Sequence, residues 1–202
     1  MLATALGLAS GCAADPKSPG DLETRLAVPV ELAIGADASL GVTVVDTKDE
    51  VVSSVVPRIE RGQLTIDATT GRLRVLAFTL ELADLEVAAD LTGLATPLRF
   101  VDVTVSMPDA PAAITEWSEA GAVAVFEQRL QLDWSLAGPR GPSPLAAQLV
   151  RVALTLAIET ADDGALHASL HAAKPGAVWH FGELSLRDLD ITVAGSSTTD
   201  QP

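Results

Sequence analysis

The sequence is poor in aromatic residues and has no tyrosine. Phe and Trp together make up 3% of its 202 residues, whereas apolar residues of all kinds make up 48%. The interior of such a chain must be filled mainly by Ala, Val and Leu, so we expect an aliphatic core. A sugar-binding cleft, which needs aromatic rings for stacking, is poorly supplied by three Trp and four Phe.

Basic residues are also scarce. The chain has 13 Lys and Arg against 27 Asp and Glu, which gives a formal net charge of -14 and a pI near 4.4. No segment gathers positive charge into the stripe that neutralises phosphates, so the composition predicts no nucleic-acid partner. Anionic lipid headgroups would be repelled as well, and any membrane attachment must therefore be hydrophobic or covalent.

The familiar signatures of catalysis and cofactor binding are missing. The sequence contains no Gly-x-Ser-x-Gly elbow, no phosphate-binding glycine loop and no pair of cysteines spaced for zinc. His167 and His171 share a strand face but lie about 13 Å apart, too far for one zinc ion. His180 could approach His171 if residues 174–176 formed a hairpin, although a structural role is the simpler interpretation. We predict no catalytic residues, no metal and no cofactor.

The single cysteine follows a short apolar segment. Residues 1–8 are too few to span a bilayer, and they lead into Leu8-Ala9-Ser10-Gly11-Cys12. This motif resembles the lipobox of bacterial lipoproteins. The resemblance implies cleavage before Cys12, acylation of its sulfur and new amino group, and anchoring of the chain to a membrane by several acyl chains. The alternative interpretation is a polar tail with an incidental cysteine.

These features suggest four regions along the chain. Residues 1–11 are a lipoprotein-type signal peptide, and because no Lys or Arg precedes the apolar run, one interpretation is that the signal is truncated. Residues 12–21 are rich in Pro, Gly and small polar residues, as a flexible tether should be. Residues 22–195 form a single β-rich domain, and 196–202 a disordered tail. We expect export to the cell envelope and membrane attachment there, at the outer membrane or cell surface.

Apolar residues recur at every second position through most of the proposed domain. This spacing is typical of half-buried strands, and the glycines at Gly71 and Gly164 lie between such runs where hairpin turns are needed. The pattern predicts an all-β fold, an antiparallel β-sandwich or barrel. The runs are Leu26–Ile34, Leu64–Ala68, Leu76–Leu82, Val101–Met107, Leu130–Leu136 and Val152–Ile158.

One segment has helical signals instead. Asp109 can cap a helix, Pro111 suits a first turn, and Gly121 can end it, so we predict one short helix near 110–120. The segment that begins at Ser143-Pro144 fits either a helical turn or a strand, because its apolar residues match both periods.

Two motifs recur at the same offset. Arg25–Ala33 resembles Arg129–Ala137, and Leu80–Val87 resembles Leu184–Ile191, each 104 residues later. The repetition can be an internal duplication of residues 22–107 and 122–195 or a coincidence. Within the second motif the apolar face changes phase at Asp84 and again at Asp188, which predicts a β-bulge at each.

Two functions fit these expectations. The aliphatic interior favours a binding module for an apolar or lipid-like ligand, anchored in the envelope through Cys12. The alternative is a structural or protein-interaction lipoprotein, whose partner is another envelope protein.

Overall fold

The fold was analysed in a computed structural model, which describes residues 19–35, 38–46, 48, 50–89, 95–119, 121–181 and 184–197. Most of these residues belong to strands of one antiparallel sheet, which confirms the predicted all-β class.

A short helix precedes the strands. Helix α1 spans Pro19–Arg25. The first seven strands are β1 (Val30–Ile34), β2 (Ser39–Val45), β3 (Val51–Val55), β4 (Ile59–Thr69), β5 (Arg72–Leu82), β6 (Leu85–Val87) and β7 (Leu98–Ser106). The remaining strands are β8 (Ala112–Trp117), β9 (Gly121–Leu136), β10 (Ser143–Pro144), β11 (Gln148–Thr160), β12 (Leu166–Phe181) and β13 (Leu184–Ser196).

The strands form because their apolar residues alternate with polar ones. In β9, every second residue from Ala122 to Leu130 is buried and the residues between them are exposed. The same alternation holds in β11, where Val150, Val152 and Leu154 are buried. Side chains of successive strand residues point to opposite faces, so this pattern places one apolar face inward and leaves the other in solvent.

The path of strand pairing returns to its beginning. It follows the order β1-β4-β5-β7-β9-β11-β12-β13, and Ala33 and Ile34 of β1 also pair with Ser196 and Gly195 of β13. The hairpin of β2 and β3 branches from β13, and β3 ends that branch. The sheet is therefore ring-like rather than a regular barrel, and its inward side chains form one apolar core.

The ring consists of two successive series of four strands, β1-β4-β5-β7 and β9-β11-β12-β13. The first sequence match, Arg25–Ala33 with Arg129–Ala137, joins β1 with β9, which begin the two series. The second match, Leu80–Val87 with Leu184–Ile191, joins β5 and β6 with β13, which occupy different places. The internal duplication stays a prediction.

The predicted helix near 110–120 is wrong. Residues Ala112–Trp117 form strand β8, which pairs with β5 on one side and β9 on the other. Asp109 does not cap a helix, since its carboxylate accepts a hydrogen bond from Arg129 at 2.7 Å. The carbonyl oxygen of Pro111 accepts from the N–H of Val75 at 3.0 Å. Hydrogen bonding to two neighbouring strands outweighs the local helix signals.

The first predicted strand is shorter than expected, because a helix precedes it. Leu22 and Leu26, four residues apart and both buried, lie on the same side of α1 or just after it. Val28 continues the alternating sequence pattern but is 59% exposed, and the strand begins at Val30. Helix α1 therefore starts within the predicted tether, at Pro19.

The predicted bulge at Asp188 is confirmed. Asp188 has a φ of 54°, and the pairing of β13 with β2 shifts its register between Arg187 and Asp190. Asp102 in β7 has the same φ, at a register shift that the sequence did not indicate. Such bulges increase the local twist of a strand, as a curved sheet requires.

No bulge forms at Asp84, contrary to the prediction. Strand β5 ends at Leu82 and β6 begins at Leu85, so the strand is interrupted rather than bulged. The carboxylate of Asp84 accepts a hydrogen bond from Nε of Arg99 at 3.1 Å, within an ion pair on the exposed surface.

Candidate binding site at the α1 end of the ring

Helix α1 lies across one end of the ring and contacts two of its turns. The N–H of Gly71, in the turn between β4 and β5, donates to the carboxylate of Glu23 at 3.1 Å. The guanidinium of Arg25 donates to the carbonyl oxygen of Gly164, in the turn between β11 and β12, at 2.6 Å. In the closed order of eight strands, the β4–β5 turn and the β11–β12 turn are half the ring apart, on opposite sides. Because α1 contacts both turns, it spans the ring.

Two leucines hold α1 against the ring. Leu22 and Leu26 are 6% and 0% exposed and belong to the same buried cluster as the inward side chains of the strands. The carbonyl oxygen of Leu26 also accepts a hydrogen bond from the N–H of Ala68 at 2.6 Å. Burial of a leucine side chain contributes about 1.5–3 kcal/mol, so the apolar contacts dominate the docking of α1.

The inward residues at this end of the second series are small. Ala122 of β9 pairs with Ile158 of β11, which pairs with Ala168 of β12, which in turn pairs with Gly195 of β13. All four are buried. Three of the four positions carry one side-chain carbon or none.

A groove of about 340 Å³ opens where these four strands end. The exposed or half-buried side chains of Val123, Ala157 and Ala194, on the outer face of these strands, form its apolar floor. We call this the end groove. Its volume is near the lower limit of known small-molecule sites, which span about 300–1,000 Å³. The floor carries no charge, so it suits a hydrocarbon group and not an ion.

Polar side chains surround this floor. The rim includes Ser118, Glu159, His167 and Ser169. Glu159 and His167 lie directly opposite each other in the β11–β12 pair, and both are exposed. The rim thus offers a carboxylate, an imidazole and two hydroxyls around an apolar floor. Such a groove can accept the apolar part of an amphiphile while it hydrogen-bonds the polar part.

Gly121 shapes one side of the end groove. Its N–H donates to Oγ of Ser118 at 3.2 Å, and its carbonyl oxygen accepts from the N–H of Ser118 at 2.8 Å. A Cβ atom at Gly121 would lie 2.1 Å from the carbonyl oxygen of Ile158. Only glycine therefore allows β9 to approach β11 so closely at this point.

Large side chains fill the interior farther from the end groove. Phe78, Leu154 and Trp179 are each at most 1% exposed, and the ring of Phe100 stacks on Trp134 with 5.0 Å between centroids. The apolar ligand predicted from the sequence is therefore better placed at the end groove than in the middle of the core.

The structure keeps His171 and His180 apart. Strand β12 continues through residues 174–176 with a register shift, so the predicted hairpin is wrong and the two histidines are roughly 30 Å apart along one strand. Nδ1 of His180 lies 3.0 Å from Oγ of Ser185. Within the part of the chain that the structure describes, no group of three or more His, Cys, Asp or Glu could hold a metal ion.

Cys12 lies outside the described residues. The same holds for the predicted signal peptide 1–11, for residues 12–18 of the tether and for residues 198–202 of the predicted tail. Of that tail, Ser196 is the last residue of β13. Among the helices that the structure describes, none has both the length and the apolar character needed to cross a membrane.

The sequence did not indicate the residues of the end groove. They come from the ends of four strands, and Ser118 and Gly195 are far apart in the chain. The sequence feature closest to the site is the glycine turn at Gly164. It predicts that the strands on either side of it pair, but it does not predict an open space beside them.

Comparisons with known proteins give no assignment. No protein-family model, no curated protein and no solved structure matches this chain. The functional conclusion therefore depends on the end groove and on the motif at Cys12.

Proposed function

We propose that this protein is an exported, lipid-anchored binding module that holds an apolar or lipid-like ligand in the end groove. The observation that carries the proposal is the combination of an uncharged floor, formed by Val123, Ala157 and Ala194, with a polar rim. A hydrocarbon chain gains about 0.8 kcal/mol for each methylene that it buries on such a floor.

The position of the end groove supports a ligand that comes from the membrane. Pro19, where α1 begins, lies seven positions after Cys12. A fully extended chain of that length reaches at most about 25 Å. If Cys12 carries the lipid, the start of α1 stays within that distance of the membrane surface.

Ligand binding can be tested with a matched pair of variants. Ser169 lies on the groove rim, and Ala173 lies four residues along β12 on the same exposed face but outside the groove. We expect Ser169→Trp to fill the groove and to weaken binding of monomeric dodecylphosphocholine about tenfold or more, while Ala173→Trp binds like the wild type. Native mass spectrometry and fluorescence titration measure both.

Two results would contradict the ligand proposal. One is a wild-type protein that carries no ligand after purification from cells and does not bind the probe. The other is equal loss of binding in both tryptophan variants, because binding would then involve the part of the β12 outer face that lies beyond the groove.

The lipid anchor has a separate test. Mass spectrometry of the mature amino terminus should show a chain that begins at Cys12 with its acyl groups, and Cys12→Ser should abolish both cleavage and acylation. An intact, unacylated Met1 in the wild-type protein would refute the anchor but leave the end groove open to the binding test.

A second function, protein interaction in the envelope, is supported by an exposed apolar hollow. Ile114 and Val125 are 75% and 58% exposed, and they border a hollow of about 530 Å³ between β8 and β9. Solvent-exposed apolar clusters often mark interfaces. A photoreactive residue at Ile114 should crosslink to a defined partner in cells, whereas one at Val28, which is 59% exposed, should not. Reproducible absence of crosslinks at Ile114 would exclude this function.

A further inference from the structure

The outward face of β11 has an unusual distribution of charge. Its exposed or half-buried residues are, in order, Arg151, Ala153, Thr155, Ala157 and Glu159. We call these five residues the β11 strip. The three central residues are small and uncharged, and the two charges of opposite sign lie four residues to either side of Thr155, about 13 Å from it in each direction.

The neighbouring strands extend the uncharged centre. Val125 of β9 and His171 of β12 lie directly opposite Thr155, and Val123 and Ser169 lie opposite Ala157. Opposite Ala153, by contrast, β9 carries the exposed Glu127. These side chains stand on the outer face, where Val123 and Val125 are 41% and 58% exposed. A surface of short side chains of this kind allows another sheet to pack against it at about 10 Å.

The local contacts do not neutralise the ends of the β11 strip. Arg151 lies directly opposite Arg129, a like charge that destabilises a cross-strand pair. Arg129 already forms an ion pair with Asp109 at 2.7 Å. Within the described residues, neither Arg151 nor Glu159 takes part in an ion pair. Glu127 lies diagonally across from Arg151 but forms no ion pair with it among the described residues, so an acidic group from outside the chain would further stabilise Arg151.

We propose that the β11 strip is a self-association surface, on which a second copy of this chain packs face to face. A two-fold axis through Thr155, perpendicular to β11 and in the plane of the interface, places Arg151 opposite Glu159 of the partner subunit. The same operation stacks Thr155 and Val125 on their own copies. One chain thus supplies both halves of two ion pairs around an apolar centre, which is the condition for a closed two-fold interface.

The size of the surface predicts weak association. Three neighbouring strands and nine residues along β11 give a face of roughly 400 Å², below the value of about 800 Å² per partner in a standard stable interface. We expect a dissociation constant in the micromolar to millimolar range. Ala157, Glu159, Val123 and Ser169 also line the end groove, so a bound ligand would compete with the second copy at that end of the β11 strip. The two proposals remain distinguishable, because the readout here is the oligomeric state and not ligand binding.

Charge reversal tests the register of the proposed dimer. In full-length protein with Cys12→Ser, sedimentation equilibrium should show a reversible monomer–dimer equilibrium. Arg151→Glu should weaken dimerisation about tenfold or more, because two glutamates would then face each other across each contact. Addition of Glu159→Arg should restore it. Arg61→Glu is the matched control, because it makes the same charge change at an exposed arginine of β4 and should leave the equilibrium unchanged.

Crosslinking locates the axis independently. In the Cys12→Ser protein, Thr155→Cys should form a covalent dimer with a short bis-maleimide, whereas Ser54→Cys, at an exposed position of β3, should not. A protein that remains monomeric at about 1 mM would overturn the proposal. So would a dimer that crosslinks at residue 54 and not at 155, or one that Arg151→Glu leaves intact.

Discussion

Nη2 of Arg25 lies 2.6 Å from the carbonyl oxygen of Gly164, although the two residues are 139 positions apart in the chain. The contact joins a helix at the beginning of the described chain to the turn between β11 and β12. Nη1 of Arg25 also lies 3.4 Å from Oγ1 of Thr160 at the base of the same turn. One side chain thus fixes α1 against the second series of strands.

Arg25→Ala should loosen α1 without unfolding the sheet. A charge-assisted hydrogen bond contributes about 1.5–3 kcal/mol when buried, and partial exposure of Arg25 reduces this to about 1 kcal/mol. Urea unfolding should show a loss of that size, and hydrogen exchange should become faster in α1. The control is Arg58→Ala, whose exposed ion pair with Glu60 should contribute less than about 0.5 kcal/mol. Equal effects of the two variants would contradict the structural role of Arg25.

Leu26→Ala should be much more costly. Leu26 is fully buried, and truncation of such a side chain usually costs about 2–5 kcal/mol. Val28, two residues later, is 59% exposed, so Val28→Ala should change the free energy of unfolding by less than about 0.5 kcal/mol. Thermal and urea unfolding can separate these outcomes, and a small effect of Leu26→Ala would mean that α1 does not pack on the ring.

Asp67→Ala should destabilise the protein more than Asp84→Ala. Asp67 has a side chain only 5% exposed and forms a bidentate ion pair with Arg74, whereas the side chain of Asp84 is 42% exposed in its pair with Arg99. The pKa of Arg74 is raised above its ordinary value, mainly by its hydrogen bond to Asp67 and secondly by the negative charge of the Asp67 carboxylate. Added salt should weaken the effect of Asp84→Ala but not that of Asp67→Ala, because burial limits screening. The opposite order in urea unfolding would contradict this assignment.

Gly121→Ala should distort the end groove. The new Cβ would collide with the carbonyl oxygen of Ile158, and the strands can separate only by loss of the β9–β11 hydrogen bonds there. We expect a loss of more than about 2 kcal/mol in stability. Gly71→Ala is the control, since no atom lies within 4 Å of its Cβ position and only its φ of 74° is strained, at about 1–2 kcal/mol. Comparable losses would show that the close approach at Gly121 is not decisive.

The sequence predicted those parts of the fold that depend on local alternation. Leu130 and Leu132 of β9 and Val152 and Leu154 of β11 are buried as their period of two indicated. The phase change at Asp188 also predicted its bulge, because a one-residue insertion moves the apolar residues to the other face. In each case the information lies within a few residues of the chain.

The failures occurred where distant strands decide the structure. Asp109 and Pro111 are good helix signals, but hydrogen bonds from Arg129 and Val75, in β9 and β5, determine their conformation. The end groove depends on which short residues of four strands meet at one end of the ring. That meeting follows from the strand order and register, which no short segment of the sequence specifies.

The helix that spans the ring has a mechanical consequence. Any pull on the chain from the side of Cys12 enters the domain at Pro19 and passes first into α1. Because Glu23 and Arg25 bind turns on opposite sides of the ring, the force is divided between the two series of strands. Detachment of seven helical residues would therefore precede the stretching of any strand, so that α1 protects the sheet against tension from an anchored amino terminus.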